Sequence, residues 1–342
     1  MPQSRWKLLT SVVISLVILV LAYLNRAWII AAFGLLHEAR PAWLVAAFVL
    51  ICLSYLISSQ VFNVVLRSLG FQMGVLRLWA TALVAIIISQ SVPAGGVGSY
   101  AFLISNFNRR GVSPGESALI ASLETLSYAV AMLLMFSFSL FFLTFHGMVT
   151  GQASYVAGVV AVAVIAGVAF GLTRSEATLK RWLSALQRGV GRLLGHQWSG
   201  AWAENLIAEL VVGRNLLASR RRDVMLLVLI QLTALTGHSV AMLLVLQAFD
   251  VRVSLWAVGA AFGVALITST FNVLPGGGGT VEAALVAVLT QLGAGPAAVP
   301  AAIIFRLFNF WLLAPVATAC YHWLMHENVK PLVSTRRSGV SD

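Results

Sequence analysis

The chain has 342 residues, of which 60% are hydrophobic and only 10% charged, with a formal net charge of +11. A soluble domain needs far more polar coverage, so these proportions exclude a water-soluble globule and point to an integral membrane protein of the cell inner membrane. The excess of Lys and Arg does not mark a nucleic-acid binder: the basic residues are scattered over short segments at the ends of apolar runs, where membrane topology accounts for them.

Apolar runs near the spanning length of about 20 residues occur at 8–24, 42–57, 118–145, 153–172, 224–247 and 297–321. Two shorter ones, 78–92 and 257–273, run into Pro and Gly. The first run follows Arg5 and Lys7, but the residues after it, Ala22-Tyr23-Leu24-Asn25-Arg26, offer no small-residue cleavage site, so it reads as a retained helix. Cys52 and Cys320 both fall within predicted spans and read as packing residues rather than a disulfide or thiolate site.

Two segments share a pattern: SVPAGGVGSYAFL from Ser91 and VLPGGGGTVEAAL from Val273. Pro93 and Pro275 are 182 positions apart, and the same offset pairs Gly95 with Gly277, Gly96 with Gly278, Ala101 with Ala283, Leu103 with Leu285 and Gly111 with Gly293. Extended outward, it defines two repeats, 42–145 and 224–327. The remaining parts are an N-terminal helix and loop (1–41), a linking helix (146–172), a basic loop (173–223) and a tail (328–342).

The positive-inside rule orients these parts. With both termini cytoplasmic and each Pro-Gly segment turning back within the bilayer, 18 of the 22 Lys and Arg residues are cytoplasmic, including Arg67, Arg77, Arg109 and Arg110, against Arg26, Arg40 and Arg252 outside. The hairpins, about 75–108 and 257–292, then enter from opposite sides. The expected fold is an all-α polytopic membrane protein of inverted internal repeats, with about six full spans and two Pro-Gly-broken re-entrant helical hairpins. A model in which each half-helix crosses fully keeps the same loop sides, and loop charge alone does not separate the two.

Backbone that leaves helical geometry at membrane depth must be satisfied by protein or by a wet cavity. Pro93 and Pro275 each end a helix, and Gly95, Gly96 and Gly98, with Gly276, Gly277, Gly278 and Gly279, permit close backbone approach. Short helices are expected to follow at about 99–108 and 280–292. Their partially positive N-termini suit an anionic group such as a lipid phosphate, although glycine clusters also serve simple helix packing. Neither is a nucleotide loop: Gly98 leads to Ser99-Tyr100 and Gly279 to Thr280-Val281, without the Lys of that motif. No cofactor is expected.

Glu124, Glu282 and Arg306 stand in apolar sequence, where a charge calls for function or pairing. Glu124 and Arg306 are themselves 182 apart. They are compatible with an ion pair tying the halves together, with binding of a polar headgroup or proton, or with snorkelling. Glu282 is also placed to act as a first-turn acid on its helix dipole. Gln90 and its offset mate Asn272 precede the two breaks, and Tyr128 and Asn309 lie a turn or so beyond Glu124 and Arg306. His322 and His326 have metal-compatible i, i+4 spacing, yet their place at a span end beside Trp323 favours an interfacial role, and no metal is expected. No nucleophilic constellation is evident, so an enzyme is not expected. In the basic loop, Leu179, Trp182, Leu183, Leu186, Val190, Leu193 and Leu194 follow helical spacing, the pattern of an interfacial amphipathic helix on anionic lipid.

The paired motifs, PAGGVG with Glu124 downstream and VLPGGGGTVEAAL with FRLFNFW downstream, resemble the membrane region of lysylphosphatidylglycerol synthases, most closely over about 80–130 and 225–325. That resemblance implies movement of an aminoacylated phospholipid between leaflets, with synthesis assigned to a separate soluble domain; some stand-alone relatives are associated with hopanoid or other isoprenoid lipids. The chain ends at Asp342 without room for that domain, so synthesis is not expected. The family's first-half pattern has Arg after the Glu, whereas Thr125 follows Glu124 here. The expected function is a lipid flippase with membrane lipids as partners. The alternatives are a membrane scaffold for a lipid-synthesis or glycosyltransferase partner and, third, a membrane-embedded transferase.

Overall fold

The computed structural model describes residues 26–91, 95–148, 201–270 and 279–326, with isolated positions 20, 23, 156, 159, 163 and 332. These residues form helices and no strands. In chain order they are α1 (Arg26–Leu35), α2 (Pro41–Ser68), α3 (Val75–Ser91), α4 (Gly95–Asn108), α5 (Pro114–Phe145), α6 (Ala201–Ala248), α7 (Leu255–Thr270), α8 (Thr280–Leu289), α9 (Ala298–Arg306) and α10 (Leu313–His326). Most of the expected spans at 8–24 and 153–172, the amphipathic stretch 179–194, both prolines, Gly276, Gly277, Gly278 and Asn272 lie outside the described residues.

Local chemistry sets the long helices. Pro41 opens α2 in the first turn, where its missing N–H costs nothing. Pro114 opens α5 behind a capping box: Ser113 Oγ accepts from the Glu116 amide at 3.3 Å while Glu116 Oε2 accepts from the Ser113 amide at 3.2 Å. On α2, Leu44, Ala47, Ile51 and Tyr55 are buried while Val45, Val49 and Leu53 face outward. Such an outward apolar stripe is costly in water but at home against lipid tails. Among the described residues, four stretches are long and apolar enough to cross a membrane: Pro41–Ser68, Pro114–Phe145, Arg222–Ala248 and Thr280–Met325.

α3 and α7 are shorter, at 17 and 16 residues, about 25 Å each at 1.5 Å per residue, less than the roughly 30 Å hydrocarbon thickness. Two boundaries differ from the sequence reading. α4 begins at Gly95 rather than near Ser99, because its glycines pack as helix; Gly98 lies so close to Ile88 that a Cβ would stand 3.2 Å from its Cγ2. Residues 201–223, expected in the loop, are helical and continue unbroken into the span in the 48-residue α6.

Helices related by the offset of 182 have matching boundaries. α3, α4 and α5 correspond, within three residues at each end, to α7, α8 and the stretch from α9 to α10, and the end of α2 to the end of α6, whereas α6 begins well before the position matching the start of α2. Gly111 and Gly293, paired by the same offset, both adopt left-handed backbone, with φ of 85° and 100°, which side chains disfavour.

α2 packs antiparallel on the second part of α6. The start of α2 meets the end of α6, where the Arg40 amide donates to the Ala248 carbonyl at 3.0 Å and Arg40 pairs with Asp250 at 2.7 Å. Further along, Ser58 Oγ donates to Gln231 Oε1 at 3.0 Å. α5 packs on α7, and α10 on α3, so a long helix of each half lies against a short helix of the other. Arg110, in the loop between α4 and α5, is almost fully buried. Its Nε donates to Asn106 Oδ1 at 3.4 Å, Asn106 Nδ2 donates to Thr81 Oγ1 at 3.1 Å, and the Arg110 carbonyl accepts from the Leu332 amide at 2.9 Å.

The α2–α6 crossing is tightest at Gly237, where an added Cβ would stand 2.3 Å from Ser54 Oγ but 3.4 Å from Ser54 Cβ. Gly237→Ala is therefore expected to lower thermal stability in detergent by about 1–3 kcal/mol through overpacking. Adding Ser54→Ala, which removes only the clashing oxygen, should restore most of the loss; a double variant no better than the single one would show that the halves do not meet this closely.

Candidate functional site

The end of α3 and the start of α8 converge on one side chain. Arg306 ends α9, and its Nε lies 3.1 Å from Glu282 Oε1 while its Nη1 donates to Gln90 Oε1 at 2.9 Å. Its guanidinium carbon stands 4.6 Å from the Phe310 ring centroid, a cation–π contact that helps to hold a desolvated cation. Glu282 lies in the first turn of α8, and Gln90 in the last turn of α3, just before the break. Arg306 thus joins three elements of two halves.

The pair is shielded: the side chains of Arg306 and Glu282 are 12% and 9% exposed. Glu282 uses one oxygen on Arg306, and its Oε2 has no hydrogen-bond partner, an expensive arrangement in a dry interior. A π-helical turn over Leu307–Trp311 follows Arg306 directly. Such turns insert a residue into the helix and re-aim side chains, often at functional sites.

Within this turn, Asn309 meets Tyr55 of α2: the Tyr55 hydroxyl donates to the Asn309 carbonyl oxygen at 3.0 Å and also touches Asn309 Oδ1. The Tyr55 ring packs edge-on against His238 of α6, centroids 5.0 Å apart. Gln90 also faces the Tyr55 hydroxyl and Asn309 the His238 ring. A polar layer therefore crosses the bundle from α8 through α9 and α3 to α2 and α6.

Of the residues picked out in the sequence, this layer gathers Gln90, Glu282, Arg306 and Asn309, with Tyr128 of α5 beside Tyr55. Glu124 and Tyr128 lie on α5, and the contact of Glu124 within hydrogen-bond range is Thr125 Oγ1 at 3.5 Å. The carboxylate that Arg306 engages is Glu282, not its offset mate Glu124. In the first half the position 182 before Glu282 is Tyr100, whose hydroxyl lies 3.1 Å from Ser122 Oγ and 3.4 Å from the Ala118 carbonyl. At the two positions where the second half carries its ion pair, the first half thus has Tyr100 and a carboxylate, Glu124, with no cation. His322, on α10, stacks edge-on with Tyr321. Among the described residues no group of three His, Cys, Asp or Glu is placed to hold a metal ion.

Tyr55 and His238 were not evident as site residues in the sequence. The available signal was a lone His beside Gly237 and a lone Tyr in apolar spans, and such residues serve equally well as interhelical hydrogen-bonders.

No curated protein matches this chain. The family model for the Lysylphosphatidylglycerol synthase TM region matches residues 8–317. With that match over nine-tenths of its length, and with several membrane-spanning helices, this multi-pass membrane protein belongs to the Lysylphosphatidylglycerol synthase TM region family.

Proposed function

We propose that this chain is a lipid flippase, moving a polar-headgroup lipid between leaflets of the inner membrane without catalysing a covalent step. The observation that carries this reading is Arg306, held between the ends of two broken hairpins by Glu282 and Gln90. Discontinuous helices meeting at ionisable side chains in the middle of a bundle are the recurrent design of transporter substrate sites.

The same observations support inverted repeats. Equivalent helices that run antiparallel are what an in-plane two-fold axis between halves produces, and the short α3 and α7 support hairpins that turn back at the breaks rather than cross. Arg67, Arg77, Arg109 and Arg222 gather at the end of the bundle where α3 begins, while Arg40 and Arg252 lie at the end where α7 begins. The positive-inside rule makes the first end cytoplasmic, so the hairpins enter from opposite sides and both chain termini lie in the cytoplasm. Rocking of one half on the other about the α2–α6 contact would expose the polar layer to each leaflet in turn.

The test is leaflet-resolved translocation of headgroup-labelled phospholipids in proteoliposomes containing the purified chain. The expected result is faster loss of leaflet asymmetry than in protein-free vesicles, without ATP. No acceleration across anionic, zwitterionic and aminoacylated lipids, with or without a proton gradient, would favour a scaffold for a lipid-modifying enzyme instead.

A further inference from the structure

The ion pair leaves no spare charge in the site. Arg306 contributes one positive charge and Glu282 one negative, and the pair is shielded from solvent. The ionisable groups around Glu282 are few. α8 packs on α7 and α9; α7 carries no ionisable side chain, and α9 carries only Arg306. The segment 271–278 that leads into α8, Phe-Asn-Val-Leu-Pro-Gly-Gly-Gly, contains none either. From α3 the side chain that reaches the pair is the neutral Gln90, and the neighbouring Tyr55 belongs to α2.

An anionic headgroup entering this layer would compete with Glu282 for Arg306. Two anions against one guanidinium leave an uncompensated charge in a low-dielectric site, a strongly disfavoured state. A carboxylate can discharge itself by binding a proton. The place for it is present: Glu282 Oε2 is buried and has no hydrogen-bond partner.

We propose that the site couples an anionic phosphate headgroup to a proton: as the phosphate takes over Arg306, Glu282 binds one proton from solution, and the two leave together. This rests on the reading that the layer handles a lipid headgroup, and it adds a driving force, since the proton gradient would then bias the direction of lipid movement. The exchange is balanced. Arg306 stays charged throughout, the bound phosphate replaces the carboxylate as its counter-ion, and the occupied site has the same net charge as the empty one. A headgroup that carries its own ammonium brings its own compensation and takes up no proton.

The test uses the full-length chain in an uncharged detergent, weakly buffered and with a pH-indicator dye, titrated with dihexanoyl-phosphatidylglycerol or dihexanoyl-phosphatidylcholine. Binding of the anionic lipid is expected to take up close to one proton per lipid bound. Because a proton is taken up, affinity should be greatest at low pH and weaken by up to about tenfold per pH unit as pH rises. Glu282→Gln, which keeps an acceptor for Arg306, should bind the same lipid without proton uptake and with little pH dependence. Binding by wild type without proton uptake would overturn the proposal while leaving the flippase reading intact, as would equal uptake by Glu282→Gln. Failure of the anionic lipid to bind would also overturn it, and the translocation assay then decides separately whether lipids move at all.

Discussion

Replacing Arg306 by Met is expected to reduce lipid translocation to the rate of protein-free vesicles and to destabilise the fold. Removing one member of a buried pair leaves the other charge uncompensated, at a typical cost of about 3–5 kcal/mol. Here that charge is Glu282, 9% exposed and with its second oxygen already unpartnered. The two effects separate in the double variant Arg306→Met/Glu282→Gln, which holds no buried charge. Its melting temperature in detergent should return close to wild type while translocation stays absent. Recovery of both would mean that the pair serves only to hold the helices together.

The second large effect is expected at Gly263 on α7, where an added Cβ would stand 2.1 Å from Ser139 Oγ and 2.5 Å from the Met135 carbonyl oxygen. Gly263→Ala must push α7 away from α5, a contact between the short helix of the second half and the long helix of the first. The expected loss reaches or exceeds the upper end of the usual 1–3 kcal/mol for overpacking, since the obstacle includes backbone. The contrast with Gly237 is diagnostic. Ser54→Ala clears the way for Gly237→Ala, whereas Ser139→Ala leaves Met135 in place and should not rescue Gly263→Ala. Thermal unfolding of the four variants side by side checks both statements.

Much of this architecture is legible in the sequence because bilayer thickness and the cost of unpaired backbone act on the chain locally. Apolar runs of spanning length give α2, α5, the second part of α6 and the last helices. The shortness of the 78–92 and 257–273 runs, together with the glycines after them, anticipates α3 and α7.

Other features depend on facing surfaces, which spacing does not encode. The offset pairs Glu124 with Arg306 as equivalents, but equivalence is not contact: Arg306 reaches Glu282 on the short helix of its own half and Gln90 of the other. Tyr55 and His238 join the layer only because α2 and α6 pack antiparallel and bring their rings together. The burial of Arg110 against Asn106, with its carbonyl on the Leu332 amide, has no signal in the spacing of charges. The helix over 201–223 extends into polar sequence where no apolar run signals it.

The most direct test of the central claim, that the Arg306 site handles the headgroup rather than merely joining helices, is the charge swap Glu282→Arg/Arg306→Glu, assayed for folding and leaflet-resolved translocation in the same preparation. A swapped pair keeps the site neutral, and Gln90 can turn its amide to donate to the new carboxylate, so the protein should fold with near wild-type stability. If the site works on the lipid, the swapped protein will not accelerate translocation, because the cation now sits on α8 instead of between the two hairpins. A swapped protein that moves lipid at the wild-type rate would contradict the account and make the pair a structural tie.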